Sequence, residues 1–114
     1  MGERRGALGR IAPAVHASVL VVDLHLPVPG SLKAKRSVIA PILEGARRRF
    51  RVAVAEVDHQ DQWQRSELAF ATVASSARQA TEVLDAVERF VWSFPEVEVI
   101  TARRSWLDEE DDVR

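Results

Sequence analysis

The sequence predicts an α+β sandwich with its elements in the order β-α-β-β-α-β: one antiparallel sheet carrying two helices on one face. Three observations carry this. Short, β-branched apolar segments recur near residues 15–26, 52–57, 67–74 and 97–102, each of strand length and bounded by turn-forming or polar residues. Two longer segments, 31–51 and 76–94, repeat apolar residues at helical spacing, and each opens on a serine suited to an N-cap. The strand-helix-strand pattern therefore occurs twice, and right-handed crossovers leave the split βαβ, or ferredoxin-like, topology with strand order 4-1-3-2.

The elements follow in order. Val15 to Leu26 sets Leu20, Val22, Leu24 and Leu26 on one face and Val19, Val21, Asp23 and His25 on the other, and apolar character on both faces marks a central strand. Pro27-Val28-Pro29-Gly30 ends it, since proline removes ladder donors and glycine supplies a turn. Ser31 then caps a helix to about Phe50, with Leu32, Ile39, Ile42, Leu43, Ala46 and Phe50 along one stripe. Pro41 interrupts that stripe; either the helix kinks near Ser37 or its regular part begins there.

Val52 to Val57 and Glu67 to Ala74 are the second and third strands, joined by a polar hairpin. Ser76, with Gln79 three positions on, makes a capping box for the second helix, in which Ala77, Ala80, Val83, Leu84, Val87, Val91 and Phe94 keep helical spacing until Pro95. Val97 to Ala102 is the last strand.

With 114 residues, 46% of them hydrophobic, the chain supports one packed core and one domain, over residues 15–107. Residues 1–14 are rich in Gly and Arg and are expected to be a disordered arm; residues 108–114 form an acidic tail. The net charge of -1 conceals a segregation: residues 31–51 hold seven Lys or Arg against one Glu, or +6, whereas residues 107–114 hold five acids against one Arg, or -4. Without cysteine there is neither a disulfide framework nor thiolate metal ligation. No apolar run approaches the roughly 18 residues of a membrane span, and the first residues lack a signal-peptide core. A cytoplasmic protein is the expectation.

The predicted topology gathers the end of strand 1, the start of helix 1, the strand 2 to strand 3 hairpin and the end of helix 2 at one end of the sheet. His25, Lys33, Lys35, Arg36, Asp58, His59, Asp61, Trp63, Arg65 and Trp92 are expected near that pole. Two of its segments carry a family pattern: Ser31-Leu32-Lys33-Ala34-Lys35-Arg36-Ser37, and Ala55-Glu56-Val57-Asp58-His59-Gln60-Asp61-Gln62-Trp63-Gln64-Arg65. Over residues 15–107 the chain resembles the YlxP-like (DUF503) family of small bacterial proteins, departing from it at Ala34, where an acidic or polar residue is usual. The resemblance implies a ferredoxin-like domain with no established activity, often encoded among translation and ribosome-maturation genes.

No catalytic motif is present. His25, Asp58, His59 and Asp61 are ligand types for a divalent ion, but their spacing matches no ligand signature, so solvated hairpin groups are preferred and no metal or other cofactor is expected. Ser66, His59 and Asp61 lack a strained elbow or a glycine-built oxyanion hole. The hairpin is either structural, with Asp58 and Asp61 capping backbone donors, Arg65 pairing with one of them and Trp63 packed over the loop, or a recognition surface in which Gln60, Gln62, Gln64 and Arg65 surround an aromatic platform. Lys33, Lys35, Arg36, Arg47, Arg48, Arg49 and Arg51 form either a solvated face or an electrostatic footprint for phosphate.

The strands lack the stacking aromatics of an RRM, since only Phe70 is available on the central pair, and there is no GxxG loop of a KH domain. The functional expectation is a non-enzymatic RNA- or ribosome-associated binding module that uses the helix 1 cations for phosphates and residues 58–65 for specificity. The alternatives are a protein-interaction domain, such as a homodimer through the open sheet face, and, ranked last, a small metal-dependent hydrolase at the His25 and His59 pole.

Overall fold

A computed structural model describes residues 15–107; the expected arm and acidic tail lie outside the described residues. The elements are β1 (His16–His25), α1 (Leu32–Phe50), β2 (Ala53–Asp58), β3 (Arg65–Ala74), α2 (Ala77–Trp92) and β4 (Glu98–Trp106). The sheet is antiparallel in the order β2-β3-β1-β4, which is the predicted 4-1-3-2 read from the other edge.

Strand alternation decides the layers. Ser18, Leu20, Val22 and Leu24 of β1 are buried, as are Ser66, Leu68, Phe70 and Thr72 of β3. The helices supply Ile39, Ile42 and Ala46 from α1 and Ala80, Leu84, Val87 and Val91 from α2, so the core lies between the helices and one face of the sheet. Across the opposite face the register aligns Ala53 with Ala71 and Ala71 with Val19, then Ala55 with Ala69 and Ala69 with Val21. No described helix covers these rows.

Both helix starts are capped as expected: the Ala34 amide donates to Ser31 Oγ at 3.0 Å and the Gln79 amide to Ser76 Oγ at 3.1 Å. Of the Pro41 alternatives, a regular start only at Ser37 is excluded, since the helix begins at Leu32 and runs through the proline. Pro41 is exposed, so the Ser37 carbonyl that loses its intrahelical donor lies on the solvent side. The helix ends with Arg51 in the left-handed region, φ 57°, its amide donating to the Arg47 carbonyl.

Gly45 allows the two helices to approach. A Cβ there would stand 2.6 Å from Cζ of Phe90, whose ring is held edge-on by Phe50 and Phe94. β4 continues four residues beyond its expected end, because Arg103, Arg104, Ser105 and Trp106 lack apolar alternation yet pair with β1, as far as Ser18 opposite Trp106. On the helix side, Arg104 meets Asp85 and Glu88 of α2, both at 2.9 Å.

Candidate functional site: a lysine-anchored hairpin and a cationic helix ridge

Lys35 falls on the same helical stripe as Ile39, Ile42 and Ala46, and that placement decides its role. It is 1% exposed, which corrects its assignment to the solvated cations. Its ammonium donates to the main-chain carbonyls of His59 at 2.7 Å and Arg65 at 3.0 Å and pairs with Glu56 Oε2 at 2.8 Å; the Gln60 carbonyl is a longer neighbour at 3.4 Å. Three donors thus meet three close acceptors. Glu56 comes from the helix-facing side of β2, opposite Leu68, and also accepts from the buried Ser66 hydroxyl at 2.7 Å. Position 35, seven residues before Ile42 on the apolar stripe, was the signal in the sequence; it gave no means of choosing Glu56 as partner.

The hairpin held in this way has a defined shape. The His59 amide donates to Asp58 Oδ1 at 2.7 Å, His59 takes φ 62°, and the Gln62 amide closes a turn onto the His59 carbonyl at 3.0 Å. Left-handed backbone is unfavourable for a side chain of this size, and the capped amide together with the lysine on its carbonyl holds it there. At the far end of the loop, the Leu26 amide donates to the Gln64 carbonyl at 2.9 Å and the Gln64 side-chain amide donates to the Pro27 carbonyl at 2.8 Å. The loop is tied to β1 as well as to α1.

Asp58 caps a backbone donor as expected, but Arg65 does not pair with Asp58 or Asp61. It reaches across to β1 and grips both carboxylate oxygens of Asp23 at 2.9 Å through Nη2, a diagonal contact on the open face; its Nε is buried and unpartnered. His25, cross-strand from Arg65, bonds Glu98 at 2.8 Å through Nδ1. Neither Asp23 nor Glu98 was singled out from sequence as a site partner, because separations of 42 and 73 residues leave no local pattern.

His25, Asp61, Gln62, Trp63, Gln64 and Arg65 line a shallow, open depression of about 480 Å³. Trp63 is 53% exposed and is therefore not packed away over the loop. Asp61 and Gln60 are exposed. Trp92 does not join this group; it is exposed and lines a separate depression with Asp85, Glu88, Arg89 and Arg104. Among the described residues no three His, Cys, Asp or Glu side chains are arranged to hold a metal ion.

The remaining α1 cations are exposed but not contiguous. Lys33 and Arg36 lie at the hairpin end, whereas Arg47, Arg48, Arg49 and Arg51 lie about 20 Å further along the axis at 1.5 Å per residue. Arg47 pairs with Glu44 at 2.9 Å; this hydrogen bond, reinforced by the attraction of the two charges, holds the Glu44 carboxyl below its ordinary range and raises Arg47. Arg49 lies over the rings of Phe50 and Phe90, 5.4 and 5.0 Å from their centroids. Lys33, Arg36, Arg48 and Arg51 have no salt-bridge partner among the described residues, whereas Arg65, Arg78, Arg103 and Arg104 each face an acid.

Comparison with known proteins places this arrangement. The family model described as "Protein of unknown function (DUF503)" matches residues 17–104. The chain belongs to the DUF503 family. Its relative, the uncharacterized protein YlxP of Bacillus subtilis (strain 168), is 42% identical over 78 residues, which cover 68% of this chain and 85% of that one. DUF503 membership thus spans the lysine, the hairpin and nearly all of the sheet. Among solved structures, a de novo designed protein with a ferredoxin fold is similar at a TM-score of 0.43 and 12% identity, covering 82% of this chain and 85% of its own. A dimeric ferredoxin-like protein from an uncultured marine organism is similar at a TM-score of 0.36 and 11% identity, covering 79% and 84%. No described helix is long and apolar enough to cross a membrane.

Proposed function

We propose that this DUF503 protein is a non-enzymatic, cytoplasmic RNA- or ribosome-associated binding module. The observation that supports it is the run of exposed cations on α1 with no acid facing them: Lys33, Arg36, Arg48 and Arg51 have no salt-bridge partner among the described residues, nor does Arg89 of α2, while Arg65, Arg78, Arg103 and Arg104 face acids. Uncompensated positive charge along an exposed ridge attracts a phosphate backbone, and the counterions that it releases drive binding. A strand of RNA following α1 from Arg51 toward Lys33 arrives at the hairpin, where Gln60, Asp61 and Trp63 are exposed. There the fixed loop supplies shape and a stacking surface, and the helix supplies affinity.

Titration of single-stranded ribosomal RNA fragments against salt tests this. With three to five of Lys33, Arg36, Arg47, Arg48, Arg49 and Arg51 engaged, log K should fall against log salt with a slope of roughly -2 to -3.5, at about -0.7 per contact. Reversal of Arg47, Arg48 and Arg49 to Glu should weaken every RNA alike, whereas Trp63→Ala should change the ranking among RNAs. Absence of binding to RNA and to ribosomal subunits at low salt, where the mechanism is strongest, would remove the proposal.

A further inference from the structure

We infer that the open face of the sheet is the contact surface between two copies of this chain. Its centre is lined by small apolar side chains: Val19, Val21, Ala69 and Ala71 of the two central strands meet Ala53 and Ala55 of β2. Toward the end away from the hairpin the face continues into Val73, 73% exposed, and Leu107, 55% exposed, whose amide bonds the Ala17 carbonyl. Both helices pack on the other side, so no described helix covers these side chains; Val19, Val21, Ala69 and Ala71 are part-exposed and Ala53 and Ala55 exposed. Contiguous apolar patches beyond a few hundred Å² are uncommon on a protein that remains alone.

The area suits a dimer. Each strand residue occupies about 16 Å² of sheet plane, from a spacing of ~4.8 Å and a rise of ~3.3 Å. The strands, of 10, 6, 10 and 9 residues, thus present roughly 550 Å² in projection, and side-chain relief carries the accessible area toward the ~800 Å² per partner of a standard interface. Small side chains let two such sheets stack about 10 Å apart, aligned within about 30°.

Charge selects a second copy over a nucleic acid. Three acids on this face have a basic partner within the chain: Asp23 with Arg65 at 2.9 Å, Glu67 with Arg103 at 3.3 Å and Glu98 with His25 at 2.8 Å, while Asp58, at the hairpin end opposite Glu67, adds a carboxylate that repels phosphate. A phosphate backbone finds no free cation there and no aromatic ring to stack on. An identical face finds apolar rows opposite apolar rows about a two-fold axis, which is the self-complementarity that an isologous contact requires; the Asp23–Arg65 pair and the Arg103–Glu67 pair, which spans β1, lie on the half of the face nearer the hairpin. The α1 ridges of both copies then point outward.

Sedimentation equilibrium of the full chain with Val73→Glu and Val19→Lys variants tests this. Val73 is largely exposed, so circular dichroism of Val73→Glu should be unchanged, and Val19→Lys, at a part-exposed position of central β1, is compared by the same spectrum before its association is read. The expected result is a dimer in the wild type and at least tenfold weaker association in each variant. A wild type that remains monomeric at about 100 µM, a concentration that reveals even weak pairing, overturns the inference. So does a dimer that neither variant weakens, which would move the contact to an edge strand. A monomer whose residues 1–14 resist trypsin until Val73→Glu is introduced would give the face to that arm instead.

Discussion

The ammonium of Lys35 lies 2.7 Å from the main-chain carbonyl of His59, so a residue near the start of α1 fixes a non-glycine residue in left-handed conformation at the tip of the β2–β3 hairpin. Glu56, 2.8 Å from the same nitrogen, supplies the opposite charge that makes a buried cation tolerable. Helix, strand and loop are coupled at one atom.

Removing that cation should be costly. Lys35→Met leaves the Glu56 carboxylate, 17% exposed, without its opposite charge and takes the ammonium donor from the carbonyls of His59 and Arg65, and breaking a buried pair in this way costs about 3–5 kcal/mol. Urea denaturation should report it. Combined with Glu56→Leu the loss should be less than the sum of the single losses, because the second change removes the stranded charge. If Lys35→Met proves nearly neutral, the hairpin is held by its own turn and not by the helix.

Trp63 should be dispensable for folding. Truncating a buried aromatic costs about 3–5 kcal/mol, but roughly half of this ring faces solvent, so Trp63→Ala should lower stability by about 1–1.5 kcal/mol at most. Thermal melts give the comparison. A loss in the fully buried range would show that the ring supports the loop and does not serve as a contact surface.

Arg51 ends α1 at φ 57° and ψ 40°, a conformation that costs a side-chain-bearing residue about 1–2 kcal/mol and glycine almost nothing. Arg51→Gly should therefore raise stability by about 1 kcal/mol in chemical denaturation. If Arg51 engages phosphate, the same substitution should reduce the magnitude of the RNA salt slope by about 0.7. Greater stability with weaker RNA binding is the combination expected of a cation placed where the backbone prefers glycine.

The sequence by itself determined the order of elements, because it rests on local signals: period-2 alternation in Leu20, Val22 and Leu24, period-3.6 stripes through Ile39, Ile42 and Ala46 and through Ala80, Leu84, Val87 and Val91, and serine caps at 31 and 76; the sheet order then followed from the right-handedness of the two crossovers. It also carried the two motif segments of the family and located the hairpin as the densest polar stretch. What only the tertiary structure decided is which charge meets which. Lysine at position 35 could have extended its stem to solvent from an apolar stripe; the approach of Glu56 and the carbonyls of His59 and Arg65 from separate segments holds it inside instead. Arg65 sits near Asp58 and Asp61 in sequence, yet antiparallel pairing of β1 with β3 sets Asp23 diagonally across from it on the open face. Charge pairs form by proximity across the sheet, and proximity across a sheet is fixed by register and packing, which no local pattern encodes.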